Sequence, residues 1–214
     1  MSDVQHAIAA RVARHLKPGQ VVNLGIGIPT LVADHLPDRG SVFFQTENGM
    51  LGVGPTPAPE DVNPNLIHAG KLPVSETPGA SYFASSASFG MIRGGRVEVA
   101  VLGALQIDAT GRIANWALPG RPVLGVGGAM DLLVGARTVI VATTHTAKDG
   151  APKIVPECAF PLTADRTVDL VVTEAATFAV EDGGLVLTEL AAGTTLDWVR
   201  AHTTAPFRIR ETVR

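Results

Sequence analysis

The run Phe43-Phe44-Gln45-Thr46-Glu47-Asn48-Gly49-Met50-Leu51-Gly52-Val53-Gly54-Pro55 decides how the whole chain reads. It opens as a short apolar strand over residues 42–45 and changes character within two residues. Glu47 stands where that strand ends, and glycines follow at Gly49, Gly52 and Gly54. Glycine gives the backbone freedom and lets a second molecule come close to the main chain. A carboxylate at the carboxyl end of a buried strand, beside such an approach, marks a site in an open α/β sheet. Most loop glutamates are solvated surface groups. This one has no lysine or arginine within its stretch to pair with the charge, so Glu47 is the candidate working residue.

Upstream, Ser2 and Gln5 have capping-box spacing, and Val4, Ile8, Val12 and Leu16 recur with helical period, predicting a helix over residues 3–15. Val21-Val22-Asn23-Leu24 reads as the first core strand, running into Gly25-Ile26-Gly27-Ile28-Pro29-Thr30. Pro29 can open a second helix to about residue 36. Gly25 and Gly27 begin like a dinucleotide fingerprint, but Thr30 stands where the third glycine belongs and no acidic residue follows at the required spacing. NAD binding is therefore not expected. A glycine turn that opens a helix still suits an anionic or thioester ligand.

Downstream, residues 55–78 hold Pro55, Pro57, Pro59, Pro64, Pro73 and Pro78 and read as a long loop, functional or covering, with Lys71 its one base. Residues 83–92 predict a short helix. Val97-Glu98-Val99-Ala100-Val101-Leu102-Gly103 predicts a central strand, and residues 106–114 a hairpin around Thr110-Gly111. A second glycine cluster, Gly125-Val126-Gly127-Gly128, leads into a short helix. Strands follow at residues 138–141 and 170–173, then a hairpin about Asp182-Gly183-Gly184 and a last helix capped by Thr194 or Thr195. His145, Lys148 and Asp149 are expected on a loop. Strands interleaved with helices and hairpins give an α/β fold with a mixed sheet in one domain, residues 1–214.

Composition narrows the function. At 214 residues and 46% hydrophobic content the chain can bury a core. A net charge of −3 without a basic run argues against a nucleic-acid surface. Charged residues are only 17%, against about a quarter in average domains, which predicts that another chain covers part of the surface. No apolar run approaches the roughly 20 residues of a membrane span, and the amino terminus lacks the pattern of a secretory signal. Cys158 is the sole cysteine, so no intrachain disulfide forms, and a cytoplasmic location is expected.

Three chemistries compete. Metal catalysis needs clustered ligands, whereas the histidines are scattered. A Ser or Cys nucleophile needs an elbow or a base; no Gly-x-Ser-x-Gly occurs and Cys158 has no histidine nearby. A carboxylate nucleophile needs burial, freedom from cations, and donors for the oxyanion it creates. Glu47 with the turns at Gly25-Gly27 and Gly127-Gly128 fits that list best.

The stretches Gly25-Ile26-Gly27-Ile28-Pro29-Thr30, Thr46-Glu47-Asn48-Gly49, Asn65-Leu66-Ile67-His68-Ala69-Gly70-Lys71, Met91-Ile92-Arg93-Gly94-Gly95, Ala114-Asn115-Trp116 and Gly127-Gly128-Ala129-Met130-Asp131-Leu132 occur in this order. Together they resemble the beta subunit of the 3-oxoacid coenzyme A-transferases, over nearly the whole chain. The usual serine before the glutamate is Thr46 here, still a hydroxyl. The resemblance implies an open three-layer α/β/α sandwich with a mixed, mainly parallel sheet. It implies that Glu47 attacks an acyl-CoA and carries CoA as a glutamyl thioester, with no metal or bound cofactor. Gly128 would offer its N–H to the oxyanion and Asn23 would hold the glutamate. Gly25, Gly27, Asn48, Gly49, Gly52, Gly54, Lys71 and Gly127 would contact CoA or the acid. It also implies a partner, the alpha subunit of the same transferase, in a two-plus-two heterotetramer. The segment Asn115-Trp116-Ala117-Leu118-Pro119-Gly120-Arg121 resembles the succinyl-CoA:acetoacetate type more than the 3-oxoadipate type. Butyrate and acetate transferases share the other motifs. A sugar-phosphate isomerase would want a basic phosphate cluster, which is missing from the sequence, and a non-catalytic half-complex would have no need of Glu47.

Overall fold

The computed structural model describes residues 2–120 and 125–213, with position 39 described by its backbone alone. The chain opens with α1 (Asp3–Ala13), where Gln5 Oε1 accepts from the Ser2 N–H at 2.8 Å. Ile8, Ala9 and Val12 form its buried stripe, so the helix lies on the sheet by its apolar face. β1 (Val21–Leu24) follows, and residues Ile28–His35 then form a 3-10 helix in place of an α-helix. Gly27 stands ahead of it at φ +88°, and Pro29 sets its first turn.

β2 (Phe43–Thr46) leads directly into β3 (Met50–Val53), and the proline-rich segment that follows ends in β4 (Glu76–Tyr82). Neither β3 nor β4 is expected from the sequence. Gly52 in β3, and Pro78 with Gly79 in β4, hide the alternation that marks strands, and β4 tolerates its proline because it lies at the end of the sheet. α2 (Ser85–Arg93), β5 (Val99–Leu102) and the hairpin of β6 (Gln106–Ile107) and β7 (Ile113–Ala114) come next, as expected. The expectation for the segment ending at Arg121 falls partly outside the described residues.

α3 (Ala129–Gly135), β8 (Thr138–Ala142), β9 (Leu170–Val172), β10 (Ala176–Glu181), β11 (Gly184–Leu190), α4 (Leu196–His202) and β12 (Phe207–Ile209) complete the chain. Thr195 caps α4, its Oγ1 accepting from the Trp198 N–H at 3.2 Å. The ten-stranded sheet has the order β12-β11-β10-β9-β8-β5-β1-β2-β3-β4. Its centre, from β2 to β9, is parallel; β3, β4, β10 and β11 add antiparallel pairings.

Two cores cover the two faces. α1 and the 3-10 helix pack Ile8, Val12, Leu31 and Val32 on Val22, Phe44, Val99 and Val101. The opposite face carries Ile92, Leu132, Leu133 and Val199 over Ala100, Leu102, Val139 and Phe178. The result is the α/β/α sandwich, with β1 where strand order reverses between β2 and β5. In open sheets of this kind ligands bind at the carboxyl ends of the strands beside the reversal.

His145, expected on a loop, is fully buried just past β8. Its ring nitrogens lie 3.0 Å from Thr173 Oγ1 and 2.9 Å from Thr203 Oγ1, and Trp198 packs on it edgewise. Burial, helped by the charge of His202, pushes its pKa down to about 4. An unfolded histidine titrates near 6.5, so the neutral ring stabilises the fold fully above that pH, and the stabilisation drains away as pH falls from 6.5 toward 4. The difference amounts to about 3 kcal/mol. Chemical denaturation at pH 7 and pH 4 should therefore show a loss smaller by about that amount in His145→Gln than in the wild type. Equal losses would mean that His145 does not titrate on unfolding.

Candidate active site

β1 and β2 pair in parallel with Asn23 opposite Gln45, which brings their carboxyl ends level. Glu47 is the first residue past β2, in a tight turn closed by the Gly49 N–H on Thr46 O at 3.0 Å. Asn23 is wholly buried, and its Nδ2 donates to Glu47 Oε2 at 3.1 Å. Gly128 stands at the start of α3, and a Cβ there would sit 3.3 Å from Glu47 Oε1 and 3.4 Å from the Phe89 ring. Glu47, Asn23 and Gly128, from three distant parts of the sequence, thus meet at one point. Among the described residues Glu47 forms no ion pair.

The segment after Asn65 is laid across this turn and tied to it. Thr46 Oγ1 accepts from the Ala69 N–H at 2.9 Å and donates to Asn48 Oδ1 at 2.8 Å, while Asn48 Nδ2 donates to Ile67 O at 2.8 Å. The hydroxyl at position 46 is therefore a fastener for the loop. A cleft of about 240 Å³ remains, lined by Glu47, Asn48, Ile67, His68, Ala69, Lys71, Ser85 and Phe89. Lys71 is exposed at φ +68° and shares the cleft with the carboxylate.

The glycines divide into two groups. Gly27 and Gly127, at φ +88° and +59°, face open space, so a ligand could approach their main chain. Gly25 packs on the Val101 carbonyl. Gly49, Gly52 and Gly54, expected to line an approach for substrate, are buried against the protein itself. A Cβ would lie 2.1 Å from Phe83 O at Gly49, 2.9 Å from Ala80 Cα at Gly52 and 2.5 Å from Ser75 Oγ at Gly54. Those three glycines let β3 and its turn press against β4 and the segments flanking it; the close neighbour the sequence called for is the chain's own.

Three residues of the site escape sequence reasoning. Phe89 needs α2 to carry it to the cleft, and Gln45 passes for an interior strand residue. His68 is quoted within a motif but not singled out there. Its Nδ1 accepts from the Gly70 N–H at 2.8 Å. Burial holds its pKa below the ordinary imidazole value, against the pull of Glu47.

Residues 5–201 match the family model described as coenzyme A transferase. The chain belongs to the coenzyme A transferase family. This coenzyme A transferase chain is 48% identical to the beta subunit of acetate CoA-transferase from Escherichia coli K12 over 97% of its own length and 94% of that relative's. It is 42% identical to the B-designated subunit of the probable succinyl-CoA:3-ketoacid coenzyme A transferase of Bacillus subtilis, over 100% and 99% of the two chains. An acyl-CoA transferase apoenzyme from Escherichia coli O157:H7 shares the fold, with TM-score 0.80 and 21% identity, over 99% of this chain and 42% of the longer one. Glutaconate coenzyme A-transferase from Acidaminococcus fermentans superposes with TM-score 0.74 at 18% identity, over 99% and 88%. No helix among the described residues of this transferase chain is long and apolar enough to cross a membrane.

Proposed function

We propose that this chain is the beta subunit of a cytoplasmic 3-oxoacid CoA-transferase, with Glu47 as the group that carries CoA from donor to acceptor. The observation that carries the reading is the Glu47 carboxylate at the sheet's carboxyl edge, held on one oxygen by Asn23 and faced on the other by Gly128. One Glu47 oxygen attacks the thioester carbonyl of the donor and expels CoA thiolate, giving a mixed anhydride. The thiolate then attacks the glutamyl carbonyl, and the donor acid departs with the attacking oxygen. The acceptor carboxylate attacks the glutamyl thioester, CoA leaves again as thiolate, and its attack on the acceptor acyl group restores Glu47. Attack on the glutamyl carbonyl, by thiolate on the anhydride and by the acceptor carboxylate on the thioester, passes through tetrahedral species with negative charge on oxygen, and the Gly128 N–H and Asn23 Nδ2 serve as the donors. Gly25, Gly27, Asn48, Lys71 and Gly127 contact the nucleotide thioester or the acid.

Succinyl-CoA and acetoacetate are the proposed pair, supported by the resemblance around Asn115-Trp116 and by the Bacillus subtilis relative. The acetate enzyme is the second reading, favoured by the Escherichia coli relative. Two measurements test these claims. The chain with its partner subunit is incubated with succinyl-CoA alone, reduced with borohydride and mapped by peptide mass; the reductive mark is expected on the Glu47 peptide, and a mark elsewhere removes Glu47 from its role. A panel of acceptor acids with succinyl-CoA should then favour acetoacetate over acetate, and the reverse order selects the acetate reading.

A further inference from the structure

We propose that Gln45 and Ser88 are positioning residues for the nucleophile, acting through a buried hydrogen-bond chain that holds the Asn23 amide in place against Glu47. The inference rests on Glu47 being the nucleophile. Asn23 and Ser88 are wholly buried and Gln45 is 4% exposed, so no solvent completes their bonding. Gln45 Nε2 donates to Ser88 Oγ at 2.7 Å. Gln45 Oε1 accepts from Asn23 Nδ2 at 2.7 Å, and the same nitrogen gives its second hydrogen to Glu47 Oε2.

The sense of this chain is not arbitrary. An amide nitrogen set between two groups needs both to accept. Were the Gln45 amide turned over, its nitrogen would meet the Asn23 nitrogen, donor against donor. Asn23 would turn in response, and its Oδ1 would face the Glu47 carboxylate, acceptor against acceptor. Ser88, presented by α2 one residue before the cleft-lining Phe89, anchors the Gln45 amide by receiving its N–H, while the sense of the chain is set at its other end, where the Glu47 carboxylate can only accept. Nothing among the described residues donates to Asn23 Oδ1, which is buried without a partner. The orientation of that amide therefore depends on its nitrogen's two bonds alone, and Gln45 supplies the one that does not change during turnover. A buried acceptor left unpaired calls for an explanation, and a catalytic role is one.

The catalytic consequence follows from what Glu47 becomes. The oxygen facing Asn23 accepts a hydrogen bond as carboxylate, as anhydride carbonyl and as thioester carbonyl. A donor held in one sense serves every state without rearranging, which is how preorganised donors lower barriers. β1, β2 and α2 are the rigid parts that hold it.

The experiment uses the chain assembled with its partner and reads single-turnover appearance of the CoA mark on Glu47, steady-state turnover, and KM for the acyl-CoA. Gln45→Met should lower the rate of marking and turnover about a hundredfold, the effect of misplacing a reacting group by ~1 Å, and Ser88→Ala about tenfold. KM should stay within about twofold in each, since binding groups are untouched. Gln45→Glu should recover most of the rate, because a carboxyl group accepts from Asn23 and bonds Ser88 in either protonation state. Unchanged turnover in Gln45→Met or Ser88→Ala overturns the inference, as does Gln45→Glu performing no better than Gln45→Met, which would indicate packing alone. Should Gln45→Met fail to assemble, Ser88→Ala, which removes a single oxygen, decides. A wild type that forms no mark on Glu47 instead overturns the proposed nucleophile, and the positioning role with it.

Discussion

Glu47→Gln, assembled with its partner, should lose transferase turnover by roughly 10⁴–10⁶-fold, the scale on which removal of a covalent nucleophile is felt. The amide oxygen is too poor a nucleophile to open a thioester. The fold should be untouched, because Glu47 lies in a turn, half-buried, with one hydrogen bond to Asn23. Asn23 Nδ2 can donate to the new amide's oxygen as it did to the carboxylate. Glu47→Asp removes one methylene and draws the oxygens back by about 1.5 Å. The Gly128 and Asn23 positions do not follow, and a loss beyond a hundredfold is expected. Thermal unfolding of both variants should match the wild type. Substantial turnover in Glu47→Gln, with deamidation excluded by mass, would refute the covalent route.

The isolated chain should be inactive, and addition of its partner subunit should restore activity from near zero. The cleft beside Glu47 is open, and apolar side chains are left in water around the molecule: Ile26 is 71% exposed, Leu72 53% and Val134 58%. Ile26 lies against Gly70 in the segment that roofs the site, so part of this exposed surface borders the chemistry. A glutamyl anhydride in contact with water would hydrolyse before thiolate could capture it. A covering chain that buries upward of about 1,200 Å² would exclude that water and complete the CoA path. Light scattering on the chain alone and mixed with its partner subunit, with turnover measured on the same samples, makes the comparison. Full activity from the chain by itself would overturn the two-subunit reading.

Much of the candidate site is legible in the sequence because its residues are punctuated locally. Glu47 follows a strand and is followed in turn by Asn48 and Gly49, with no lysine or arginine in its stretch. Asn23 is a polar residue in an apolar strand, and Gly128 opens a helix after a glycine run. The glycines at 49, 52 and 54 mislead for an instructive reason. Close approach of two backbones leaves the same sequence mark as close approach of a ligand, and only the position of β4 distinguishes them. β4 itself is hidden by Pro78 and Gly79. Gln45 and Ser88 are beyond sequence reasoning, since 43 residues separate partners that touch at 2.7 Å. His145 lies in the loop the sequence predicts, and what the sequence hides is its burial, since Thr173 and Thr203, both remote, close around it.

The position of β1 between β2 and β5 also sets a clock on folding. One edge of β1 can pair with β2 almost as soon as both are made, but the other must wait for β5, where Val22 meets Val99. At ~5–20 residues per second of synthesis that interval lasts roughly 4–15 s. Throughout it, a strand carrying a buried asparagine and three apolar neighbours presents an unpaired edge, the template on which aggregation starts. Pairing across such long sequence separations is slow even for the finished chain. Newly made copies are open to association through that edge during those seconds, and overproduction at low temperature, which weakens apolar association, should raise the yield of assembled protein.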